Sequence, residues 1–159
     1  MTRPSVVYLM RHAKAGERRV WTGLDLDRPL SKTGWKQSRA IAKRLAKHEV
    51  TELYSSPYVR CVQTLEPLAE LLGTTVQVEP RLLEGETFEG VLDLIGDVDD
   101  RAVLCSHGDI VPAVIAALQR RGMEVQTPAD WRKASVWVLR RKGSRVTKGK
   151  VWPPPTLGR

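Results

Sequence analysis

Two histidines and two arginines stand in three short motifs whose side chains suit phosphate chemistry. Arg11 and His12 directly follow an apolar run. Arg60 lies early in a segment with helical periodicity, and His107 stands between a serine and a glycine after a second apolar run. A neutral imidazole can attack phosphorus, and guanidinium groups can hold phosphoryl oxygens through paired hydrogen bonds. The motifs therefore predict one phosphate site if the fold brings them together.

The apolar runs before these motifs predict the strands that position them. Residues 6–10 are apolar without alternation, which is typical of a strand buried on both faces of a parallel sheet. Residues 102–105 form a second run of this kind. Because ligands in open parallel sheets bind beyond the carboxyl ends of strands, we expect Arg11, His12 and His107 to converge.

Helical periodicity alternates with apolar runs along the chain and sets the fold class. Helices are predicted at residues 31–47, 57–72, 88–95 and 110–118. Strands are predicted at 6–10, 51–54, 75–78, 102–105, 136–139 and 146–152, and a loop at 13–29. Ser31 and Ser56 have the pattern of helix N-caps, and Gly73 that of a helix stop. The alternation predicts an α/β three-layer sandwich with a mostly parallel central sheet.

Composition narrows the class of protein without naming a ligand. The 159 residues suit one domain, 1–159, that ends in a short proline-rich tail. No apolar run approaches bilayer length and the N-terminus lacks a signal-peptide pattern, so we expect a cytoplasmic protein with no membrane partner. Cys61 and Cys105 fit no metal-binding spacing and are predicted core residues. The net charge of +8 favours anionic ligands.

Taken together, the three motifs resemble those of the histidine phosphatase superfamily, also called phosphoglycerate mutase-like, over about residues 6–139. Four further positions are similar to the family's pattern at the first long helix: Leu30, Ser31, Gly34 and Gln37. The resemblance implies a metal-independent phosphatase without a cofactor that forms a phosphohistidine. It implies that His12 is the nucleophile. It also implies a phosphate pocket completed by Arg11, Arg60 and His107.

The proton donor is less clearly marked in the sequence. Glu84 matches the position that the family uses, by resemblance. Glu86 and Asp109 remain alternatives because both lie close to the predicted site. Whichever carboxyl group acts would protonate the leaving oxygen and then accept a proton from the water that hydrolyses the phosphohistidine.

Departures from the family pattern bear on the substrate. Ala13 replaces the usual glycine, and residues 14–18 lack the glutamate, serine and asparagine of phosphoglycerate mutases, which disfavours mutase activity. The compact chain resembles bacterial phosphohistidine phosphatases and the phosphatase domain that follows a Nudix domain in some hydrolases. We expect a phosphorylated small metabolite or nucleotide as substrate, with a phosphohistidine protein as the alternative. Four basic residues of the loop could bind neighbouring phosphates or face solvent: Lys14, Arg18, Arg19 and Arg28.

A noncatalytic polyanion-binding module is the alternative from another class. Basic residues gather near the C-terminus: Arg140, Arg141, Lys142, Arg145, Lys148 and Lys150. Because the sequence shows no aromatic residues interleaved with them, a solvated hairpin explains the cluster better than a stacking platform, and no specific nucleic acid is expected. The retention of both histidines favours catalysis. The sequence makes no prediction of oligomeric state.

Overall fold

The computed structural model describes residues 3–157, which form a seven-stranded sheet with helices on both faces. The strands are β1 Pro4–Arg11, β2 Leu53–Ser55, β3 Val76–Val78, β4 Ala102–Ser106, β5 Glu124–Val125, β6 Val136–Lys142 and β7 Arg145–Trp152. The helices are α1 Lys32–Leu45, α2 Val59–Leu72, α3 Glu89–Asp97 and α4 Ile110–Arg120. Single 3-10 turns cover Asp25–Asp27, Ala46–His48 and Pro80–Leu82.

The strand order confirms the predicted fold class. The order is β3-β2-β4-β1-β6-β7-β5. The first four strands of that order are mutually parallel, as are β5 and β7, while β6 runs antiparallel to both β1 and β7. The sheet is therefore mostly parallel, and its central pair, β1 and β4, carries two of the predicted motifs at its carboxyl ends.

Two hydrophobic cores lie on opposite faces of the sheet. Successive side chains of a strand point to opposite faces. Val7 and Leu9 accordingly pack with α3 and α4, whereas Tyr8 and Met10 pack with α1 and α2. All four side chains are at most 4% exposed. This arrangement gives three layers and confirms that β1 is buried on both faces.

The observed helix ends confirm two of the predictions made from the sequence and contradict a third. Ser31 is the N-cap of α1, since its Oγ accepts a hydrogen bond from the backbone N–H of Gly34 at 3.1 Å. Gly73 ends α2 with a φ of 66°, as predicted. The N-cap prediction for Ser56 is wrong: α2 begins at Val59, and Tyr58 is the cap residue without a side-chain hydrogen bond.

The C-terminal part contains the predicted hairpin and one strand that the sequence did not show. Strands β6 and β7 are each longer than predicted, because their pairing continues to the turn at residues 143 and 144. The two residues of β5 are too few to carry a periodic signal. Residues 153–157 belong to no helix or strand. Across residues 3–157, every helix is too short or too polar to traverse a lipid bilayer.

The basic residues of this hairpin do not form the uniformly solvated face that the sequence predicted. Arg141 is 5% exposed and donates hydrogen bonds to the carbonyl oxygens of Ile95 and Val98. A cavity beside the hairpin is lined by three of its basic residues and by three aromatic rings: Arg140, Lys148, Lys150, Tyr8, His48 and Trp152. Trp152 belongs to the hairpin itself, whereas Tyr8 and His48 come from distant segments of the chain.

Candidate active site

The two histidines meet at the carboxyl ends of β1 and β4. The strands pair in parallel with Arg11 opposite Ser106, and the backbone N–H of His12 donates to the carbonyl oxygen of Ser106 at 3.0 Å. The side chains that follow both strands therefore lie at the same edge of the sheet. The ring centroids of His12 and His107 are 5.5 Å apart. The structure thus brings the two motifs together as predicted.

The environment of His12 fixes its tautomer and its charge. Its Nδ1 lies 2.8 Å from the carbonyl oxygen of Ala13. Because a carbonyl oxygen only accepts, Nδ1 carries the proton and Nε2 keeps its lone pair. Burial, opposed by the Ala13 hydrogen bond and reinforced by the charges of Arg60, His107 and Arg11, lowers the pKa of His12 to about 3. The imidazole is therefore neutral at physiological pH.

Arg60 reaches this edge from the first turn of α2. Its side chain is 1% exposed, and its guanidinium carbon lies 4.6 Å from the ring centroid of Tyr58. One NH2 group lies 3.2 Å from Oδ2 of Asp25 and 3.4 Å from Oε2 of Glu84. A buried guanidinium at the positive end of a helix is a strong binder of anions. Both carboxylates show that the position attracts negative charge.

His107 is held by Ser56 through one of its ring nitrogens. Nε2 of His107 lies 2.8 Å from Oγ of Ser56, in hydrogen-bonding distance. The backbone N–H of Tyr58 donates to the same Oγ at 3.4 Å. Ser56 therefore contacts both the His107 ring and the residue before α2, and it orients the His107 ring instead of capping α2.

Arg11 lies against the backbone of the next motif. A Cβ at Gly108 would come within 2.7 Å of the Arg11 guanidinium carbon, so any larger residue there would displace the guanidinium from its observed position. Arg11 donates from NH1 to the carbonyl oxygen of Trp131 at 2.8 Å. Three buried nitrogens at the site have no hydrogen-bond partner within residues 3–157: Nε of Arg11, Nε of Arg60 and Nδ1 of His107. Because an unpaired buried polar group is costly, binding of an oxygen-rich anion to these nitrogens is favourable.

Two of the three candidate acids line the pocket. Glu84 and Asp109 face it together with Arg11, His12 and Arg60, in a cavity of about 230 Å³. Oδ2 of Asp109 accepts from the backbone N–H of Gly85 at 2.8 Å. Glu86 is exposed and lies outside the lining. The geometry thus keeps Glu84 and Asp109 as the candidates.

The loop before α1 supplies basic and acidic residues to the rim. Of the four basic residues considered, Arg18 and Arg28 line the pocket, whereas Lys14 and Arg19 do not. Asp25 was missed by the sequence argument, yet its carboxylate lies 2.9 Å from Nε of Arg28 and 3.2 Å from NH2 of Arg60. Partial burial raises the pKa of Asp25, but hydrogen bonding to Arg28 and nearby arginine charges hold it below its usual value. Asp25 therefore stays ionised.

Lys133 is a second pocket residue that the sequence did not reveal. It lies in the connection between β5 and β6, a region without a recognised motif. The backbone N–H of Ala134, the next residue, donates to the carbonyl oxygens of Arg11 and His12 at 3.2 and 3.1 Å. No local signal could have found Lys133, because its position depends on how this connection folds back onto β1.

The residues of the pattern at the first long helix support the backbone that follows His12. The carbonyl oxygen of Lys14 accepts from the backbone N–H of Ser31 at 2.9 Å, and the backbone N–H of Lys14 donates to Oε1 of Gln37 at 2.9 Å. A Cβ at Gly34 would lie 1.9 Å from the Lys14 carbonyl oxygen. The backbone N–H of Ala13 donates to Oγ1 of Thr64 at 3.0 Å. These contacts fix the chain on one side of His12.

Comparison with known proteins decides the family. A family model described as "Histidine phosphatase superfamily (branch 1)" matches residues 7–92, which include three of the four predicted phosphate-site residues. The chain belongs to the histidine phosphatase superfamily. The resemblance inferred from the motifs is thereby confirmed. Within residues 3–157, no group of three or more histidine, cysteine, aspartate or glutamate side chains is placed to hold a metal ion.

Some curated relatives of this histidine phosphatase chain carry phosphatase names, and others are named probable phosphoglycerate mutase. An 8-oxo-(d)GTP phosphatase from Mycolicibacterium smegmatis is 32% identical over 157 residues, which cover 94% of this chain and 48% of the relative. The chain thus spans about half the length of that relative. The enzyme class predicted from the sequence, a metal-independent histidine phosphatase, agrees with the family and with this name.

Solved structures establish the phosphoglycerate mutase-like fold. The protein histidine phosphatase SixA complexed with tungstate superposes with a TM-score of 0.73 at 24% identity, covering 92% of this chain and 93% of that one. A mycobacterial glucosyl-3-phosphoglycerate phosphatase superposes with a TM-score of 0.67 at 20% identity, covering 96% and 100%. At these identities the likeness concerns the fold, and it leaves the substrate to be argued from the site.

Proposed function

We propose that this chain hydrolyses phosphate esters through a phosphohistidine formed on His12. The observation that carries the proposal is a buried, neutral imidazole whose Nε2 lone pair is free, in a pocket that it shares with Arg11 and Arg60. A neutral imidazole is the nucleophilic form. Cationic donors around it stabilise the charge that develops on the phosphoryl oxygens.

The phosphate is bound by the four residues that the motifs predicted. Arg11 and Arg60 each offer a buried Nε without a partner in residues 3–157, and His107 offers Nδ1. Arginine holds phosphoryl oxygens with planar, permanently charged donors, so no proton has to move when the phosphate binds. Glu84 and Asp25 accept from Arg60 in the structure, and a phosphate would compete with them for that guanidinium.

The reaction proceeds by two displacements at phosphorus. In the first, Nε2 of His12 forms a bond to phosphorus while the bond between phosphorus and the leaving oxygen breaks, and Glu84 gives its proton to that oxygen. In the second, Glu84 takes a proton from water, and the water oxygen displaces His12 from phosphorus. The products are an alcohol and inorganic phosphate, and both side chains return to their starting states. The covalent intermediate divides one difficult displacement into two easier ones.

The substrate class that the pocket supports best is a small phosphorylated metabolite or nucleotide. Three cations beyond the phosphate site line the pocket: Arg18, Arg28 and Lys133. Such charges suit a ligand with more negative charge than one phosphate ester. The relative named 8-oxo-(d)GTP phosphatase supports a nucleotide. A phosphohistidine protein is the competing substrate, and comparing phosphate release from nucleotides, sugar phosphates and such a protein distinguishes them.

The test of the mechanism is to trap the phosphoenzyme and map it. Denaturing the enzyme at alkaline pH during turnover of labelled substrate should give a label that is stable in base, labile in acid and located on the peptide that contains His12. His12→Ala should lower phosphate release by at least about 1,000-fold with an unchanged far-UV spectrum. His48→Ala, an exposed histidine outside the pocket, serves as the matched control. Label on another residue, or turnover retained in His12→Ala, would reject the mechanism.

A further inference from the structure

The segment between β5 and β6 forms one wall of the pocket and is fixed to the nucleophile strand. The backbone N–H of Ala134 contacts the carbonyl oxygens of Arg11 and His12, and the backbone N–H of Arg11 donates to the carbonyl oxygen of Ser135 at 3.2 Å. NH1 of Arg11 also donates to the carbonyl oxygen of Trp131. Lys133 lies between these anchored residues. Its backbone is therefore held close to the nucleophile while its side chain lines the pocket.

Lys133 differs from the other pocket cations in its partners. Arg18, Arg28 and Arg60 each lie within 4.0 Å of the Asp25 or Glu84 carboxylate. No carboxylate of residues 3–157 lies that close to the Lys133 ammonium group. Partial burial lowers the pKa of Lys133, and four neighbouring cations lower it further: Arg11, Arg28, Lys14 and Arg60. Lys133 is thus a cation surrounded by like charge, an arrangement that an anionic ligand relieves.

We propose that Lys133 binds a phosphate group of the substrate that is not transferred, so that the preferred substrates are phosphoanhydrides of the nucleoside diphosphate class. The inference rests on the proposed function, because it takes the transferred phosphate to lie at His12, Arg11 and Arg60. The transferred phosphate already receives hydrogen bonds from Arg11 and Arg60, so it does not need Lys133. A second phosphate, joined to the first by a single bridging oxygen, places the next negative charge at the pocket wall where Lys133 stands.

The groove beside the pocket accounts for the rest of such a substrate. A shallow groove that is open to solvent, with a volume of about 480 Å³, begins at Arg11, which it shares with the catalytic pocket, and continues along Ala129, Asp130, Trp131 and Arg132. The indole of Trp131 stacks on Trp137 with centroids 5.2 Å apart and is 39% exposed. A supported and partly exposed indole offers a face to an aromatic base. A nucleoside that follows the second phosphate would leave the pocket along this groove.

The experiment compares one nucleoside with one and with two phosphates. Guanosine monophosphate and guanosine diphosphate are assayed with the wild type, Lys133→Ala, Lys133→Arg and the control Lys142→Ala, whose side chain is exposed in the hairpin. In Lys133→Ala, KM for the diphosphate should rise about 10-fold more than KM for the monophosphate, since a charge-assisted hydrogen bond is lost only with the diphosphate. Lys133→Arg should restore most of the difference, and Lys142→Ala should match the wild type.

The outcomes separate this inference from the proposed function. An equal change of KM for both nucleotides in Lys133→Ala, or no change for either, overturns the second-phosphate contact and leaves the phosphohistidine mechanism standing. Turnover of both nucleotides that survives His12→Ala overturns the mechanism itself, whatever Lys133 does. A thermal melt of each variant checks that the loop substitution has not unfolded the chain.

Discussion

Oγ of Ser56 lies 2.8 Å from Nε2 of His107, inside the protein and on the side of the ring away from Nδ1. Both residues are fully buried. The serine comes from the segment before α2 and the histidine from the end of β4, so one hydrogen bond joins two motifs that lie 51 residues apart. This bond holds the ring of His107 through Nε2, while Nδ1 has no hydrogen-bond partner within residues 3–157.

Removing the Ser56 hydroxyl should therefore weaken catalysis through His107. In Ser56→Ala, kcat/KM for a phosphate ester is expected to fall about 10-fold, because His107 loses the hydrogen-bond partner that holds its ring in position. Ser56→Thr retains a hydroxyl and should recover most of the activity. The pH profile of kcat/KM should change in the alanine variant only. Equal kinetics in all three proteins would show that the hydrogen bond is merely structural.

Glu84→Gln should slow the first displacement, and the effect should be larger for leaving groups that are more basic. In single-turnover experiments, an alkyl phosphate should react at least about 100-fold more slowly, whereas p-nitrophenyl phosphate, whose leaving group is stable as an anion, should be affected much less. Glu86→Gln is the control, since that side chain lies outside the pocket lining. If Asp109→Asn shows the leaving-group dependence and Glu84→Gln does not, Asp109 is the acid.

The low pKa of His12 should appear in the pH dependence of stability. The pKa of His12 is about 3 in the folded state and 6.5 in the unfolded state, so the unfolded chain binds more protons between these pH values. The contribution of His12 to the free energy of unfolding is therefore fully present above pH 6.5 and is lost as the pH falls towards 3. From pH 7 to pH 5 this residue should remove about 2 kcal/mol from the free energy of unfolding. Urea unfolding at both pH values measures the total change, and that change should be smaller by about 2 kcal/mol in His12→Gln. An identical pH slope in that variant would contradict the assignment.

Gly34→Ala should destabilise the fold at the backbone that follows His12. The added Cβ would meet the Lys14 carbonyl oxygen at 1.9 Å, and that oxygen cannot move aside cheaply because it accepts hydrogen bonds from the backbone N–H and the hydroxyl of Ser31. We expect a loss of about 2 kcal/mol or more in urea unfolding, as for overpacked cores. Gly16→Ala is the matched control, because its nearest neighbour would be an ordinary 3.8 Å away. Wild-type stability in Gly34→Ala would mean that α1 can shift away from Lys14.

The central part of the site could be predicted from the sequence because it depends on strand ends. An apolar run that stops at Arg11 marks both the strand and its edge, and the same holds for the run before His107. Parallel pairing then brings the two ends together without any knowledge of loops. The helix that carries Arg60 is marked by its own periodicity, which explains why this arginine could also be placed.

The rim of the site could not be predicted because its residues depend on loops and on competing local explanations. Asp25 and Lys133 lie in connections whose paths no periodicity determines. Ser56 followed by proline fits an N-cap as well as it fits a partner of His107, and only the observed start of α2 separates the two. The aromatic cluster near the hairpin is assembled from Tyr8 and Trp152, residues too far apart in the chain for any local pattern to join them.

The acceptor that determines the tautomer of His12 belongs to the main chain of Ala13. Every residue type has this carbonyl group, so a change of side chain at position 13 cannot delete it. A substitution there can alter packing around His12, but it leaves the proton on Nδ1 and the lone pair on Nε2 as long as the backbone keeps its path. The tautomer of His12 therefore does not depend on the side chain of its immediate neighbour.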